Sequence, residues 1–104
     1  MNIEIRPISK NDVSEIISIL HGAFNSPKKI PSDNEYIDDP NIFTFVSVID
    51  KKIIGTATLH IIKKINQKVG LIEDVAVTQS HKGQGLGKML VEKLLEVARL
   101  EGGL

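Results

Sequence analysis

Three glycines at alternating positions, Gly83, Gly85 and Gly87, separate the apolar run Val75-Ala76-Val77 from a long amphipathic segment that begins at Leu86. This junction constrains the fold more than any other stretch. A buried strand ends, the polar residues Thr78 to Lys82 turn the chain, and a strong helix opens. Glycine reaches positive φ without strain and lets successive backbone N–H groups converge on one point with no side chain in the way. The first turn of the helix adds its own unpaired N–H groups and the positive end of its dipole. Such a turn is an anion site suited to phosphates, with Lys82, Lys88 and His81 as charge support.

Two well-known phosphate motifs fail here. A Walker A loop around Gly87-Lys88 needs glycine at position 82 and a hydroxyl residue at 89, which are Lys82 and Met89. The dinucleotide pattern G-x-G-x-x-G starting at Gly83 needs glycine where Lys88 stands, and an acidic residue on a later strand for which the chain has no length.

The rest of the chain reads as β-α-(α)-β-β-β-α. Ile3 and Ile5 alternate with Glu4 and Arg6 in a short strand closed by Pro7. Ser9 and Asp12 form an imperfect capping box, after which Val13, Ile16, Ile17, Leu20 and Phe24 recur at helical spacing. Pro27, Pro31 and Pro40 punctuate a polar stretch with room for one short helix around positions 33 to 38. Ile42 to Ile49 and Ile53 to Ile62 flank the polar turn Asp50-Lys51-Lys52 and read as a hairpin. Val69 to Val77 follows as a central strand, and Gly85 to Glu101 as a helix with Leu86, Met89, Leu90, Leu94, Val97 and Ala98 on its apolar stripe. A helix after a strand normally returns to a parallel neighbour; here the sequence stops at Leu104.

Composition narrows the function. One domain, residues 1–104, is what this length accommodates. Thirteen basic and thirteen acidic residues balance, so no global positive field points to nucleic acid or membrane. Without cysteine there are no disulfides, thiolate metal sites or Cys nucleophiles, and the three scattered histidines make no metal site. No apolar run approaches the roughly 18 residues of a membrane span, and the N-terminus lacks a signal-peptide pattern. The expectation is a cytoplasmic protein with no metal.

Glu73 and Asp74 interrupt the strand before the glycine turn. Strict alternation puts Glu73 with Leu71, Val75 and Val77, and Asp74 with Ile72 and Ala76, so the two carboxylates point to opposite faces. Cross-strand pairing with Lys63, Lys64 or Lys68 is the structural explanation for either one. His21, at the end of the first helix, is suited to the helix dipole rather than to catalysis.

Lys82 to Gly87 matches the pattern Q/R-x-x-G-x-G/A with Lys in place of Gln or Arg, which keeps the charge and loses the planar fork. Together with Gly70-Leu71-Ile72-Glu73-Asp74-Val75-Ala76-Val77, the hairpin Ile53 to Leu59 and Ile5-Arg6-Pro7, it resembles the GNAT superfamily of acetyl-CoA-dependent N-acyltransferases. It is particularly similar to the glucosamine-6-phosphate N-acetyltransferase type. The resemblance covers nearly the whole chain. It implies an α+β fold with a mostly antiparallel central sheet and helices on both faces, here cut short after the pyrophosphate-loop helix. It also implies acetyl transfer from acetyl-CoA to a small-molecule primary amine, an amino-sugar phosphate being the specific acceptor class.

The resemblance further implies that Lys82, Gly83, Gln84, Gly85, Leu86, Gly87 and Lys88 hold the pyrophosphate of coenzyme A. Backbone groups of Val75, Ala76 and Val77 would hold its acyl and pantetheine portion, and Glu73 and Asp74 would orient or deprotonate the amine. In the family a tyrosine near the end of the domain protonates the departing thiolate; Tyr36 is in the wrong region for that. The strand that should flank the cofactor comes after the last helix. A longer parent enzyme, a second copy completing the sheet edge as a homodimer, or a non-catalytic coenzyme A-binding or dimerising half-domain are the three readings of that gap.

Overall fold

The computed structural model describes residues 2–26 and 35–103. Pro27, Pro31 and the start of the expected short helix lie outside the described residues. Four strands, β1 (Ile3–Pro7), β2 (Ile42–Ile49), β3 (Lys52–Lys63) and β4 (Lys68–Val77), pair in sequence order as an antiparallel meander. Among the described residues three α-helices accompany them: α1 (Val13–Phe24), the single turn α2 (Glu35–Asp38) and α3 (Leu86–Glu101).

Helices cover both faces, as an antiparallel sheet with two apolar faces requires. On one face Leu90, Leu94 and Ala98 of α3 pack on Phe45, Ala57, Leu59 and Ile61. On the other, Ile16 of α1 packs on Val46, Val48 and Ile53, with Ile8, Ile19 and Leu20 at the margin. Asp50 and Lys51 turn the β2–β3 hairpin with φ of 50° and 66°. Two successive positive φ values are the requirement of a primed turn, whose twist matches that of the strands. Met89, on the expected stripe of α3, remains half exposed.

The entry to α1 is pinned chemically. Ser9 donates its N–H and hydroxyl to Asp12 Oδ2 at 2.7 and 3.0 Å, and Arg6 donates to both Asp12 oxygens at 2.7 and 3.1 Å. The buried Asp12 carboxylate is held at a pKa of about 2, chiefly by the Arg6 hydrogen bonds. One fork of charge thus ties β1 to the helix that covers the sheet.

Two features depart from the sequence expectation. β4 is an edge strand, not a central one: it pairs only with β3 among the described residues. On its outer side one backbone hydrogen bond is made among the described residues, from Gly70 N–H to Gly103 O at 2.9 Å. The second departure is a β-bulge. The β3–β4 register runs Thr56 opposite Ala76 and then Thr58 opposite Glu73, so Asp74 and Val75 together face Ala57. Asp74 is the residue that absorbs the insertion, with φ of 56°.

Candidate active site

The bulge decides where the carboxylates go. Beyond it, Val75 and Val77 face α3, since a Cβ on Gly87 would lie 3.7 and 3.9 Å from their methyls. Before it, Ile72 packs on the same α3 core. Glu73 lies opposite Thr58, a residue of the α1 face, and Asp74 lines a pocket with Thr58 and α1. Both carboxylates therefore stand on the α1 face, which corrects the opposite-face arrangement expected from strict alternation. An inserted residue in αL conformation breaks the period of two, and Asp is among the few non-glycine residues that tolerate αL.

The partner of Glu73 also differs from expectation. Its carboxylate lies 3.6 Å from His60 Nε2 rather than beside Lys63, Lys64 or Lys68. No hydrogen bond or ion pair reaches the Asp74 carboxylate among the described residues. Its neighbours are the lining of a pocket of about 190 Å³ between α1, α2 and the sheet, formed by Ile8, Val13, Ile16, Ile17 and Leu20 with Tyr36, Thr44, Thr56 and Thr58.

The glycine turn is built as an open cradle. One 3₁₀ turn, Gln79–His81, follows β4. It is tied internally by Thr78 Oγ1 and Ser80 Oγ, each 3.0 Å from His81 Nδ1. Gly83 and Gly85 then take φ of 83° and 78°, and a Cβ on either would meet nothing within 4 Å. Their conformation, not crowding, calls for glycine. Gly85 is the N-cap of α3, and its carbonyl accepts the first helical bond from Met89 N–H at 3.1 Å. The N–H groups of Leu86, Gly87 and Lys88 are left without an intrahelical acceptor.

Lys82, Gly83, Gln84 and Gly85 are exposed and surround these donors, whereas the Leu86 side chain is only 1% exposed and belongs to the core. Of Leu86, only the backbone is available to a ligand. The Lys88 ammonium is exposed and stands 3.9 Å from Glu92, one turn along the helix.

Val77 links the cradle to the strand edge. Thr78 N–H donates to Ile54 O at 2.8 Å, so the alternation of bonded and non-bonded pairs turns the Val77 N–H and C=O toward the open side of β4. There a second pocket, of about 300 Å³, is lined by Ser18, Ile19, Gly22 and Ala23 of α1 with Val77, Thr78, Gln79 and Lys82. The side chains of Val75 and Ala76 are turned into packing, against α3 and opposite Thr56 respectively.

A strand with a bulge at its carboxylates, an open glycine turn and a helix whose free N–H groups face that turn occur in one continuous segment. The family model described as the acetyltransferase (GNAT) family matches residues 13–104. The chain belongs to that family. It is thereby an acyltransferase of the acetyltransferase class, with the α+β fold expected. Its relatives include glucosamine 6-phosphate N-acetyltransferases. That of Trypanosoma brucei brucei is 29% identical over 98% of this chain and 76% of its own length. That of Candida albicans is 35% identical over 88% of this chain. The chain spans about half, 54%, of the Candida relative.

Among solved structures, a Trypanosoma brucei acetyltransferase superposes with a TM-score of 0.81 at 32% identity, covering 97% of this chain and 78% of that one. The glucosamine-6-phosphate N-acetyltransferase of Arabidopsis thaliana has the same fold, with a TM-score of 0.82 at 24% identity over 98% of this chain and 78% of its own. GNAT enzymes use acetyl-CoA as co-substrate.

Residues to which the sequence assigned no role in the site stand around Asp74. Tyr36, Thr44 and Thr58 join their hydroxyls above the strand, and His60 faces Glu73. The available signal was modest: Thr56 and Thr58 alternate with apolar residues on a strand otherwise rich in Ile, Ala and Leu.

Proposed function

We propose that this chain transfers the acetyl group of acetyl-CoA to a primary amine by direct attack, and that the amine is carried by an amino-sugar phosphate of the glucosamine 6-phosphate class. The observation that carries the coenzyme A part is the cradle of Lys82 to Lys88, with glycine backbone open to solvent at the start of α3. Pyrophosphate oxygens are acceptors and fit a site made of unpaired N–H groups and two lysines. The pocket beside Val77 and Lys82 is continuous with that cradle and suits the pantetheine arm. The acceptor class is supported by the names of the trypanosomal and Candida relatives.

In this reaction the amine nitrogen forms a C–N bond to the thioester carbonyl, the C–S bond breaks, the amine's proton passes to a carboxylate, and the thiolate leaves to take up a proton. Asp74, which lines a pocket, is the carboxylate we assign to that proton; Glu73 orients the substrate through the surface it shares with His60. Proximity and N–H groups at the β4 edge supply the rest.

Mixing the protein with acetyl-CoA and a panel of primary amines that includes glucosamine 6-phosphate, while following free thiol, tests the proposal. Thiol release with glucosamine 6-phosphate is expected, as is thermal protection by acetyl-CoA that weakens in Lys82→Ala. The open outer side of β4, with Leu71 42% exposed beside it, favours a second reading, a coenzyme A-binding half-domain completed by another copy. Protection without thiol release, together with a dimer in sedimentation, would select that reading; no protection at all would sink both.

A further inference from the structure

Half of the described residues that line the pocket between α1, α2 and the sheet carry polar side chains, yet the pocket offers a ligand little but hydrocarbon. Its hydroxyls are engaged within the protein. Tyr36 Oη lies within hydrogen-bonding distance of Thr44 Oγ1 and 2.8 Å from Thr58 Oγ1, and the two threonine oxygens are 2.8 Å apart. Three hydroxyls in a ring of three mutual bonds have no proton left to donate. The fourth, on Thr56, donates to Phe45 O at 3.3 Å. Thr44, Thr56 and Thr58 are buried in the sheet. The rest of the lining is Ile8 with Val13, Ile16, Ile17 and Leu20 of α1, and the one charged group, Asp74, is exposed.

We propose that this pocket holds the acyl chain of the donor, so that linear acyl-CoA donors of four to six carbons bind more tightly than acetyl-CoA and are used by the same site. The proposal rests on the coenzyme A reading above and extends it from acetyl to longer donors. An amino-sugar phosphate brings hydroxyls and an anion, which need donors that this pocket does not have free. Its polar body suits the exposed Glu73–His60 surface instead. The acyl chain is the apolar part of the two reactants.

Placement and size agree. Val77 lines the pocket beside the glycine cradle and Asp74 lines this one, three residues apart on β4, or about 10 Å at 3.3 Å per residue. Ile19 and Leu20, consecutive on α1, line one pocket each. A thioester that reaches Asp74 from the Val77 side has the apolar lining next to it. At about 190 Å³ the pocket exceeds the ~150 Å³ that accommodates the six carbons of benzene, so the single methyl of an acetyl group leaves most of it unfilled. Chain length does not alter the chemistry. The amine nitrogen bonds to the thioester carbonyl carbon, the C–S bond breaks, Asp74 takes the amine's proton and the thiolate leaves to take up another.

The experiment measures dissociation constants of acetyl-, butanoyl-, hexanoyl- and octanoyl-CoA by calorimetry on the whole chain, without amine. Burying one methylene is worth about fourfold in affinity. Butanoyl-CoA should therefore bind at least fivefold more tightly than acetyl-CoA, with a further gain at hexanoyl-CoA and none at octanoyl-CoA. Ile17→Phe fills the pocket and should bring the butanoyl-to-acetyl ratio to about one. Ile17→Ala enlarges it and should move the end of the rise from hexanoyl to octanoyl, which keeps the test open if the larger side chain unfolds the domain. With glucosamine 6-phosphate present, thiol release from butanoyl-CoA should be at least as efficient in kcat/KM as from acetyl-CoA. Butanoyl-CoA binding no tighter than acetyl-CoA, a rise that ends at the same length in wild type and Ile17→Ala, or butanoyl transfer more than tenfold less efficient than acetyl transfer would overturn the proposal. Acetyl-CoA binding and transfer without a chain-length rise would refute the acyl pocket alone, whereas no binding of any acyl-CoA would refute the function on which it rests.

Discussion

Replacing Asp74 by glycine should make the protein more stable and less active. The Asp74 φ of 56° places an L-residue in the left-handed region, which costs roughly 1–2 kcal/mol, with Asp toward the lower end. No hydrogen bond or ion pair among the described residues offsets that cost. Asp74→Gly removes the steric penalty and adds unfolded-state entropy worth about 0.4–1 kcal/mol. The net is a gain of about 0.5 kcal/mol, or roughly 2–4 °C in Tm for a domain of this size. Asp74→Ala keeps the penalty and loses the local polar group, so it should be less stable than wild type by a similar amount. The stability order is then Gly above Asp above Ala, measured by urea unfolding.

Activity should follow a different order. If Asp74 receives the amine's proton, both variants lose about 10²–10⁴ in kcat/KM for acetyl transfer. A glycine variant that is more stable yet inactive is what a strained functional residue predicts. The reasoning is refuted if Asp74→Gly is less stable than wild type by more than 0.5 kcal/mol, because the side chain would then make native contacts that outweigh the backbone. It is refuted on the chemical side if either variant keeps activity within about threefold.

Two predictions concern the scaffold. The Asp12 pKa is depressed from 3.8 to about 2, so its contribution is fully present above pH 3.8 and is lost as pH falls through 2. At 1.36 kcal/mol per unit this is about 2 kcal/mol, and urea titrations from pH 5 to 1.5 should show that slope in wild type and not in Asp12→Asn. On the α3 face, Ser47 is fully buried and its hydroxyl has no hydrogen-bond partner among the described residues, so Ser47→Ala should stabilise by about 1 kcal/mol. A Cβ on Gly55 would lie 2.5 Å from that hydroxyl and 3.2 Å from Ala76 O and from Leu90 Cδ1. Gly55→Ala should therefore cost roughly 1–3 kcal/mol, and the double variant should recover part of it; strict additivity in the cycle would contradict the contact.

Much of the fold was legible because its elements are local. Period-two alternation, the polar turn at Asp50, Lys51 and Lys52, and the apolar stripe of α3 each report on a neighbourhood of a few residues. The glycine turn was legible for the same reason: positive φ at Gly83 and Gly85 and the free N–H groups of α3 follow from local chain chemistry. What was not legible depends on contacts distant in sequence. Tyr36 meets Thr58 across 22 positions, and His60 meets Glu73 only through strand register. Nothing local to Tyr36 announces that its hydroxyl closes a ring with two threonines.

The bulge lies between these cases. The α3 face needs apolar side chains from β4, and it receives Ile72, Val75 and Val77. These positions are one even and two odd, so no unbroken period of two puts them on one face. Either Ile72 or the valine pair must turn away from the core, or one residue must be inserted between them. Turning Ile72 outward would remove a large apolar side chain from α3; turning the valines outward would strip the helix of contacts at Gly87. An insertion keeps all three, and its only candidates between them are Glu73 and Asp74. Asp is the better αL residue of the two, and Asp74 is where the strand absorbs the step. The phase slip in the apolar pattern thus places the bulge, and the bulge brings both carboxylates to the α1 face beside the hydroxyl ring. Packing demands on one side of the sheet set the chemistry available on the other.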